Sequence, residues 1–351
     1  MSCWAFAEWR RAVRVSDHVE KTVVFLGRRT PFDQFIPYGT AFLGGNIMDS
    51  ELFQTIITAR HVIDLFGDND IHIRINKLDG SFHTETTKKQ WWYSPVADAD
   101  LAICPGRFHP SQFDILHVDL DHIVDSTNIS ELEIGLGEDI FICGMYLSRI
   151  GESRNLPIVR SGTIAAMPSE RIRTSYGYHH AFLIEARSTG GLSGSPCFFQ
   201  LPPFRFVNAN LRTAANRFAQ YFMGMVLGHN KLTFPPEVIP FLPPDERSDE
   251  EKKEDEVERS LPLNTGIAIV LPASYILEAV TDGDFVQMRR EAIERRRRRS
   301  GYTPDSSIPV VGPESEPTSI PVGDDQNPNN REDFTALVSV ASKRKPKGDR
   351  T

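Results

Sequence analysis

Short runs of β-branched and aromatic residues alternate with turn residues along most of the chain. Runs this short and this regularly interrupted are typical of proteins built from β-strands. The clearest ones predict strands at 22–25, 39–43, 55–58, 71–75, 101–103, 139–143, 161–165, 181–185, 222–226 and 266–270. The pattern therefore predicts an all-β fold over the greater part of the chain.

Helical patterns are confined to the two ends. Residues 1–19 predict a helical extension, and an early charged residue makes this segment unlike a secretory signal. Near the other end, a helix is predicted at 272–280 and a basic helix at 281–299, which closes with an arginine run. Residues 300–351 are rich in Pro, Ser, Asp and Asn, so a disordered tail is expected there.

Two segments interrupt the strand pattern in the second half. Residues 200–220 lengthen one connection, and residues 235–260 are Pro-rich and then strongly acidic. The acidic segment cannot bury enough apolar surface to offset the entropy of ordering, so we expect a flexible loop. Docking of a protein partner on this loop or on the basic helix is the alternative to plain solvation. Nucleic-acid binding is not expected, because the net charge is −8 and no aromatic residues accompany the arginine run.

The most informative stretch for chemistry is Gly-Leu-Ser-Gly-Ser-Pro at 191–196. Glycines adopt backbone angles closed to other residues, so they let two N–H groups converge beside the hydroxyl of Ser193. Such a pair of donors forms an oxyanion hole. The alternative interpretation is an ordinary Gly/Ser/Pro turn.

A serine hydroxyl needs a general base and a group that orients the base. His61 closes an apolar run upstream, and Asp98 and Asp100 stand before the run 101–103. Each of these residues alone would pass for a surface or turn residue. Their order along the chain, His, Asp and Ser, with each at a strand end, favours a catalytic triad.

Several motifs together resemble the trypsin/chymotrypsin-fold serine peptidases, in particular the intracellular and bacterial branch that includes the HtrA-type proteases. The most specific ones are Thr-Ala-Arg-His-Val at 58–62, Asp-Leu-Ala-Ile at 100–103 and the serine turn at 191–196. The segments 39–43, 160–164, 222–226 and 265–270 resemble further strands of that family. The likeness covers residues 20–280, and the chain has no segment that resembles a PDZ domain.

The resemblance implies two six-stranded antiparallel β-barrels, at about 20–125 and 135–271, followed by the C-terminal helix and the tail. It implies Ser193 as nucleophile, His61 as general base and Asp100 as the residue that orients His61. Asp100 is preferred to Asp98 because the family's acid directly precedes the apolar-Ala-apolar run. The backbone N–H groups of Gly191 and Ser193 would form the oxyanion hole.

The same resemblance suggests a substrate pocket. Its base would come from Arg187, Ser188 and Thr189, and its walls from the last two strands, at Leu227, Gly228, His229 and Ala268. Arg187 would favour acidic side chains if it lies at the base. Leu192 stands where zymogen-activated relatives carry an acid, so activation by N-terminal cleavage is not expected.

Cysteine usage bears on the compartment and on cofactors. Cys3, Cys104, Cys143 and Cys197 lack metal-type spacing, and Val62 stands where secreted relatives carry a disulfide cysteine. We therefore expect a cytoplasmic protein without a metal or other cofactor, and no run of about 18 apolar residues suggests a membrane span. The sequence predicts a serine endopeptidase that acts on proteins or peptides, the alternative being a catalytically silent protease fold that serves as a binding or sensor module.

Overall fold

The computed structural model describes residues 15, 18–48, 51–87, 91–97, 99–124, 126–202, 204–207, 210–213, 219–232, 263–300 and 310–311. Nearly all of the helical extension predicted at 1–19 lies outside the described residues. So do the acidic segment 235–260 and the predicted tail, apart from residue 300 and residues 310–311. These predictions therefore stay predictions.

The first half of the described chain is a nine-stranded sheet. Seven of its strands follow the order β5-β4-β1-β2-β3-β7-β6; β8 pairs with β2, and the late strand β19 pairs with β8. A short 3₁₀ helix (Val19–Thr22) precedes it, and α1 (Arg60–Asp64) follows β3. The strands are β1 (Val23–Arg29), β2 (Phe35–Met48), β3 (Glu51–Thr58), β4 (Ile71–Asn76), β5 (Phe82–Thr87), β6 (Trp92–Tyr93), β7 (Ala102–Pro105), β8 (His117–Asp119) and β19 (Val310–Val311).

The prediction of a closed first barrel is not met. Within the described residues no pairing joins β5 to β6, the two ends of the sheet. A barrel needs a partner on both edges of every strand. Here β6 has only two residues and β8 only three, so both offer few ladder positions. The sheet is also not purely antiparallel, because β8 pairs with β2 and with β19 in parallel.

The second half contains the closed barrel that the sequence predicts, with six antiparallel strands in the order β10-β13-β18-β17-β14-β9. A helix α2 (Ser126–Glu131) precedes it, and two hairpins, β11–β12 and β15–β16, are attached to it. The strands are β9 (Asp139–Gly144), β10 (Ile158–Ala166), β11 (Arg171–Thr174), β12 (Gly177–His180), β13 (Phe182–Glu185), β14 (Pro196–Leu201), β15 (Phe204–Val207), β16 (Asn210–Thr213), β17 (Ala219–Leu232) and β18 (Leu263–Pro272).

Strand β9 is buried on both of its faces. Ile140 and Ile142 belong to the apolar core inside the barrel, whereas Phe141 and Cys143 belong to the larger core around the first sheet. Successive side chains of a strand point to opposite faces, so a strand between two cores must be apolar at every position. This explains the unbroken apolar run from 140 to 143, and it makes β9 a wall that both halves share.

Two helices follow the barrel, α3 (Ala273–Thr281) and α4 (Gly283–Ser300), close to where the sequence predicts them. Helix α4 reaches the first sheet through Arg289, which is almost completely buried. Its guanidinium donates to Asn46 Oδ1 at 3.2 Å and lies 3.9 Å from the ring centre of Phe53. Burial lowers the pKa of Arg289 to about 9. The basic helix is thus joined to β2 and β3 by a charge that the protein surrounds with aromatic rings.

Candidate active site

His61 and Asp100 form a close pair at the end of two neighbouring strands. Strand β3 pairs antiparallel with β7, with Thr58 opposite Ala102. The chain that leaves β3 and the chain that enters β7 therefore lie side by side, which brings His61 next to Asp100. His61 Nδ1 lies 2.5 Å from Asp100 Oδ2, a hydrogen bond in which the imidazole N–H donates.

The second oxygen of Asp100 is also used. It accepts the backbone N–H of His61 at 2.8 Å, and this N–H belongs to the first turn of α1. Helix α1 begins after Ala59 without any cap from its own side chains, so the carboxylate supplies the missing acceptor. Asp100 is only 6% exposed, whereas the His61 side chain is 32% exposed. A buried acid thus holds both the backbone and the ring of a histidine that is partly exposed.

The serine turn depends on two glycines with left-handed backbone angles. Gly191 has φ +96° and Gly194 has φ +84°. A methyl group on Gly194 would overlap the carbonyl oxygen of Thr40 and the hydroxyl of Thr58. The turn can therefore reach the first half only with glycine at position 194.

Thr40 joins the serine turn to the first half, and it is a residue to which the sequence analysis assigned no role. Its N–H donates to the carbonyl of Ser193 at 3.0 Å, and its hydroxyl donates to the carbonyl of Gly191 at 2.6 Å. The same hydroxyl accepts the N–H of Met145 at 2.9 Å. Only membership of the strand 39–43 pointed to this position, and nothing in the sequence marked its hydroxyl as a link between the halves.

Ser193 itself is partly exposed. Within the described residues, neither its N–H nor that of Gly191 donates a hydrogen bond. No hydrogen bond between Ser193 and His61 is present in this part of the chain. The structure thus brings His61 and Asp100 into contact, and it packs the backbone of the serine turn against β2 and β3.

The predicted pocket residues are divided between interior and surface. Leu227, Gly228 and Ala268 are buried, and His229 stands opposite Ala268 in the β17–β18 ladder. Ser188 is buried and Thr189 is partly buried, but Arg187 is exposed. The exposed position of Arg187 does not match a charge at the bottom of a pocket. The competing carboxylate Asp98 lies outside the described residues.

Tyr176, at the tip of the β11–β12 hairpin, is a further residue of the site that the sequence analysis missed. Its ring lies 4.7 Å from the ring of His61, centre to centre, at an interplanar angle of 33°. The pKa of Tyr176 is raised, first by burial and then by the negative charge of Asp100. No local sequence pattern predicted this contact, since the hairpin sequence is short and mostly polar.

The described cysteines are structural. Cys143 and Cys197 are free and buried, Cys104 is also buried, and burial strongly raises the pKa of the Cys143 and Cys197 thiols. Such thiols stay protonated and are poor nucleophiles and metal ligands. Within the ranges given above, no three His, Cys, Asp or Glu side chains come together in a way that could hold a metal.

No protein-family model and no curated protein sequence matches the chain. Among solved structures it is similar to the apo form of the MamO protease domain from Magnetospirillum magneticum, with 14% identity and a TM-score of 0.45, over 76% of this chain and 100% of that chain. It is also similar to the inactive form of a serine-to-alanine mutant of Rv3671c from M. tuberculosis, with 14% identity and a TM-score of 0.35, over 75% of this chain and 87% of that chain. Both of these structures have TM-scores below 0.5 with this chain. None of the helices in the described part of the chain is long and apolar enough to cross a membrane.

Proposed function

We propose that the chain is a serine endopeptidase whose peptidase domain covers residues 20–280. The observation that carries this proposal is the His61–Asp100 pair, in which one nearly buried carboxylate binds both the ring and the backbone N–H of the histidine. A general base needs this kind of orienting group, which keeps the proton on Nδ1 and leaves Nε2 to accept another. The N–H groups of Gly191 and Ser193 donate no hydrogen bond within the described residues, so they can serve as donors to the oxyanion that forms during the reaction.

In the proposed reaction, Ser193 Oγ attacks the carbonyl carbon of a peptide bond while His61 Nε2 takes the hydroxyl proton. The N–H groups of Gly191 and Ser193 bind the oxyanion of the tetrahedral intermediate. When the C–N bond breaks, His61 gives its proton to the leaving amine, and the acyl group remains on Ser193 as an ester. Water then attacks this ester, its proton passes through His61 back to the serine oxygen, and the acid product leaves.

Covalent labelling with a fluorophosphonate tests the proposal. The wild-type protein should be labelled, and the Ser193→Ala and His61→Ala variants should not. Ser111→Ala is the matched control, because Ser111 lies 2.7 Å from a ring nitrogen of His109 but has no glycine turn beside it. Labelling of the Ser193→Ala variant, or equal labelling of wild type and His61→Ala, would contradict the proposed mechanism.

A catalytically silent binding module is the second candidate. Two observations favour it: Tyr176 covers one face of His61, and no hydrogen bond joins Ser193 to His61 among the described residues. This function would be supported if neither wild type nor Tyr176→Ala reacts with the fluorophosphonate while both remain folded.

The substrates under this proposal are proteins or peptides, and the compartment is the cytoplasm. The free, buried thiols of Cys143 and Cys197 are the support for a reducing environment. Fractionation of the native protein, with detection by antibody, checks the compartment independently of any activity.

A further inference from the structure

The ring of Tyr176 lies against the imidazole of His61. The two ring centres are 4.7 Å apart and the ring planes are inclined by 33°, which is closer to a stacked than to an edge-on arrangement. The face of an aromatic ring carries negative electrostatic potential, so it attracts a cation that lies within about 6 Å of the ring centre. A protonated His61 at this distance would be such a cation.

The position of the tyrosine is fixed from two sides. In the hairpin turn, Thr174 Oγ1 accepts the N–H of Tyr176 at 3.0 Å and donates to the carbonyl of Gly177 at 3.2 Å. In β17, position 228 has no side chain, and a methyl group on Gly228 would overlap both the hydroxyl and the ring of Tyr176. The turn and the contact with β17 together hold the phenol ring beside the imidazole.

The charges around His61 can be named. The Asp100 carboxylate accepts the Nδ1 hydrogen at 2.5 Å, and the Tyr176 ring lies against the face of the imidazole. On helix α1 the neighbouring Arg60 is paired with Asp64 at 3.6 Å. Within the ranges that the structure describes, no other charged group forms a hydrogen bond or an ion pair with the imidazole. The carboxylate thus acts at one edge of the imidazole, and the tyrosine acts on its face.

The phenol of Tyr176 is itself uncharged around neutral pH. An ordinary tyrosine ionises at about pH 10, and the pKa of Tyr176 is raised by burial and further by the negative charge of Asp100. A change in the protonation of His61 around neutral pH therefore takes place beside a neutral aromatic ring.

We propose that Tyr176 is a positioning residue that stabilises the imidazolium of His61, the cation that forms when His61 takes the proton of Ser193. This inference rests on the proposed function, to which it adds a fourth side chain. In the proposed reaction a positive charge develops on the imidazole as the serine oxygen attacks. The aromatic face favours that charge and neither takes nor gives a proton.

Variants at position 176 test the inference through the rate of fluorophosphonate labelling. Tyr176→Phe retains the aromatic face, so its rate should stay within about twofold of wild type. Tyr176→Leu retains an apolar side chain without an aromatic face, so labelling at neutral pH should slow about tenfold. Tyr178→Leu is the matched control, because Tyr178 is on the same hairpin but is 44% exposed, and it should react at the wild-type rate. Equal slowing in Tyr176→Phe and Tyr176→Leu, or in Tyr176→Leu and the control, would overturn the inference.

The pH dependence of labelling separates stabilisation of charge from a merely structural role. Only the neutral imidazole can accept the serine proton, so labelling rises with pH as His61 loses its own proton. Without the aromatic face, the imidazolium is less stable, and the neutral form appears at lower pH but is a weaker base. The loss in Tyr176→Leu should therefore be largest on the alkaline plateau and disappear at acid pH. A loss of the same size at every pH would contradict the inference.

An NMR titration separates this inference from the proposed function. In the Ser193→Ala background, which needs no reaction, the ring protons of His61 report its protonation directly. Adding Tyr176→Leu should lower the midpoint of the His61 titration by about one pH unit, whereas Tyr176→Phe should leave it unchanged. If no variant is labelled but the midpoint still moves, the peptidase proposal fails and the stabilisation of the imidazolium stands. An unchanged midpoint in Tyr176→Leu would overturn it.

A series of side chains of nearly equal shape covers the case in which Tyr176→Leu unfolds. Fluorine atoms withdraw electron density from an aromatic face and so weaken its attraction for a cation. With Tyr176→Phe as the starting point, one and then three fluorine atoms on the phenylalanine ring should lower the titration midpoint of His61 stepwise. The absence of any such trend in folded protein would contradict the inference.

Discussion

The two sides of the candidate site are built in different ways. On the first side, His61 and Asp100 are held by side-chain hydrogen bonds at the ends of β3 and β7. On the second side, the serine turn is held almost entirely by its backbone, through Thr40 and Val226 and through glycine angles that other residues avoid. The acid–base pair should therefore tolerate changes of residue without loss of the fold, whereas the serine turn should lose chemistry and stability together.

The largest effect is expected from Gly194→Ala. Its φ of +84° and the overlap with Thr40 should together cost about 3 kcal/mol of unfolding free energy and abolish fluorophosphonate labelling. Urea denaturation and labelling measure the two effects. Gly80→Ala is the control, because Gly80 has φ +83° but no atom within 4 Å of the added methyl group. It should cost only about 1 kcal/mol and leave labelling intact. Equal losses in the two variants would mean that contact with the first half is unimportant.

Asp100→Asn should come next, with labelling slowed about 10⁴-fold because the amide favours the wrong imidazole tautomer. Its effect on stability should be small, about 1 kcal/mol, since one helix-capping acceptor remains. Asp119→Asn is the control: Asp119 lies 2.8 Å from a ring nitrogen of His122 in a pair that is exposed on its histidine side. If both variants label at the wild-type rate, Asp100 does not orient the base.

The smallest effect on labelling is expected from Thr40→Val, which keeps the shape of the side chain but removes two hydrogen bonds that link the halves. We expect a loss of about 2 kcal/mol and roughly tenfold slower labelling, because buried partners are left unsatisfied next to the oxyanion donors. Thr22→Val removes an equally buried but local bond, to the carbonyl of Val19 at 2.8 Å. It should reduce stability without slowing the labelling. If labelling were equally slow in this control, the slower labelling of Thr40→Val could not be assigned to the hydrogen bonds between the halves.

The strand pattern predicted much of the second half, because apolar alternation is a local property of the chain. Even there, strand β14 was not predicted. It begins at Pro196, and a proline argues against a strand although an apolar run follows it. The described residues do not show the predicted closure of the first half, since closure depends on the lengths of β6 and β8 and on pairings between distant segments. Residues 204–207 and 210–213 pair as a hairpin within the segment 200–220, for which the strand pattern predicted only a longer connection.

In the candidate site, too, some contacts could be predicted from local sequence motifs and others could not. The spacing of motifs suggested which residues meet, and His61 does contact Asp100, although their catalytic roles remain predictions. The contact of Tyr176 with His61 could not be predicted from the sequence. The two residues are far apart in the chain, and the tyrosine reaches the histidine only because a two-residue turn projects from the barrel. Contacts of this kind arise from tertiary packing and leave no periodic signal.

Strand β9 has a consequence for any attempt to divide this protein. Phe141 and Cys143 complete one apolar core, and Ile140 and Ile142 complete the other. Cutting the chain on either side of residues 139–144 therefore leaves one fragment with its apolar core exposed to solvent. The fragment that loses β9 should be poorly soluble when expressed alone. In a hybrid protein that exchanges one half, the side chains of β9 would have to pack against the apolar cores of both halves. The two described halves therefore share one strand, and a substitution in β9 affects the apolar core of both.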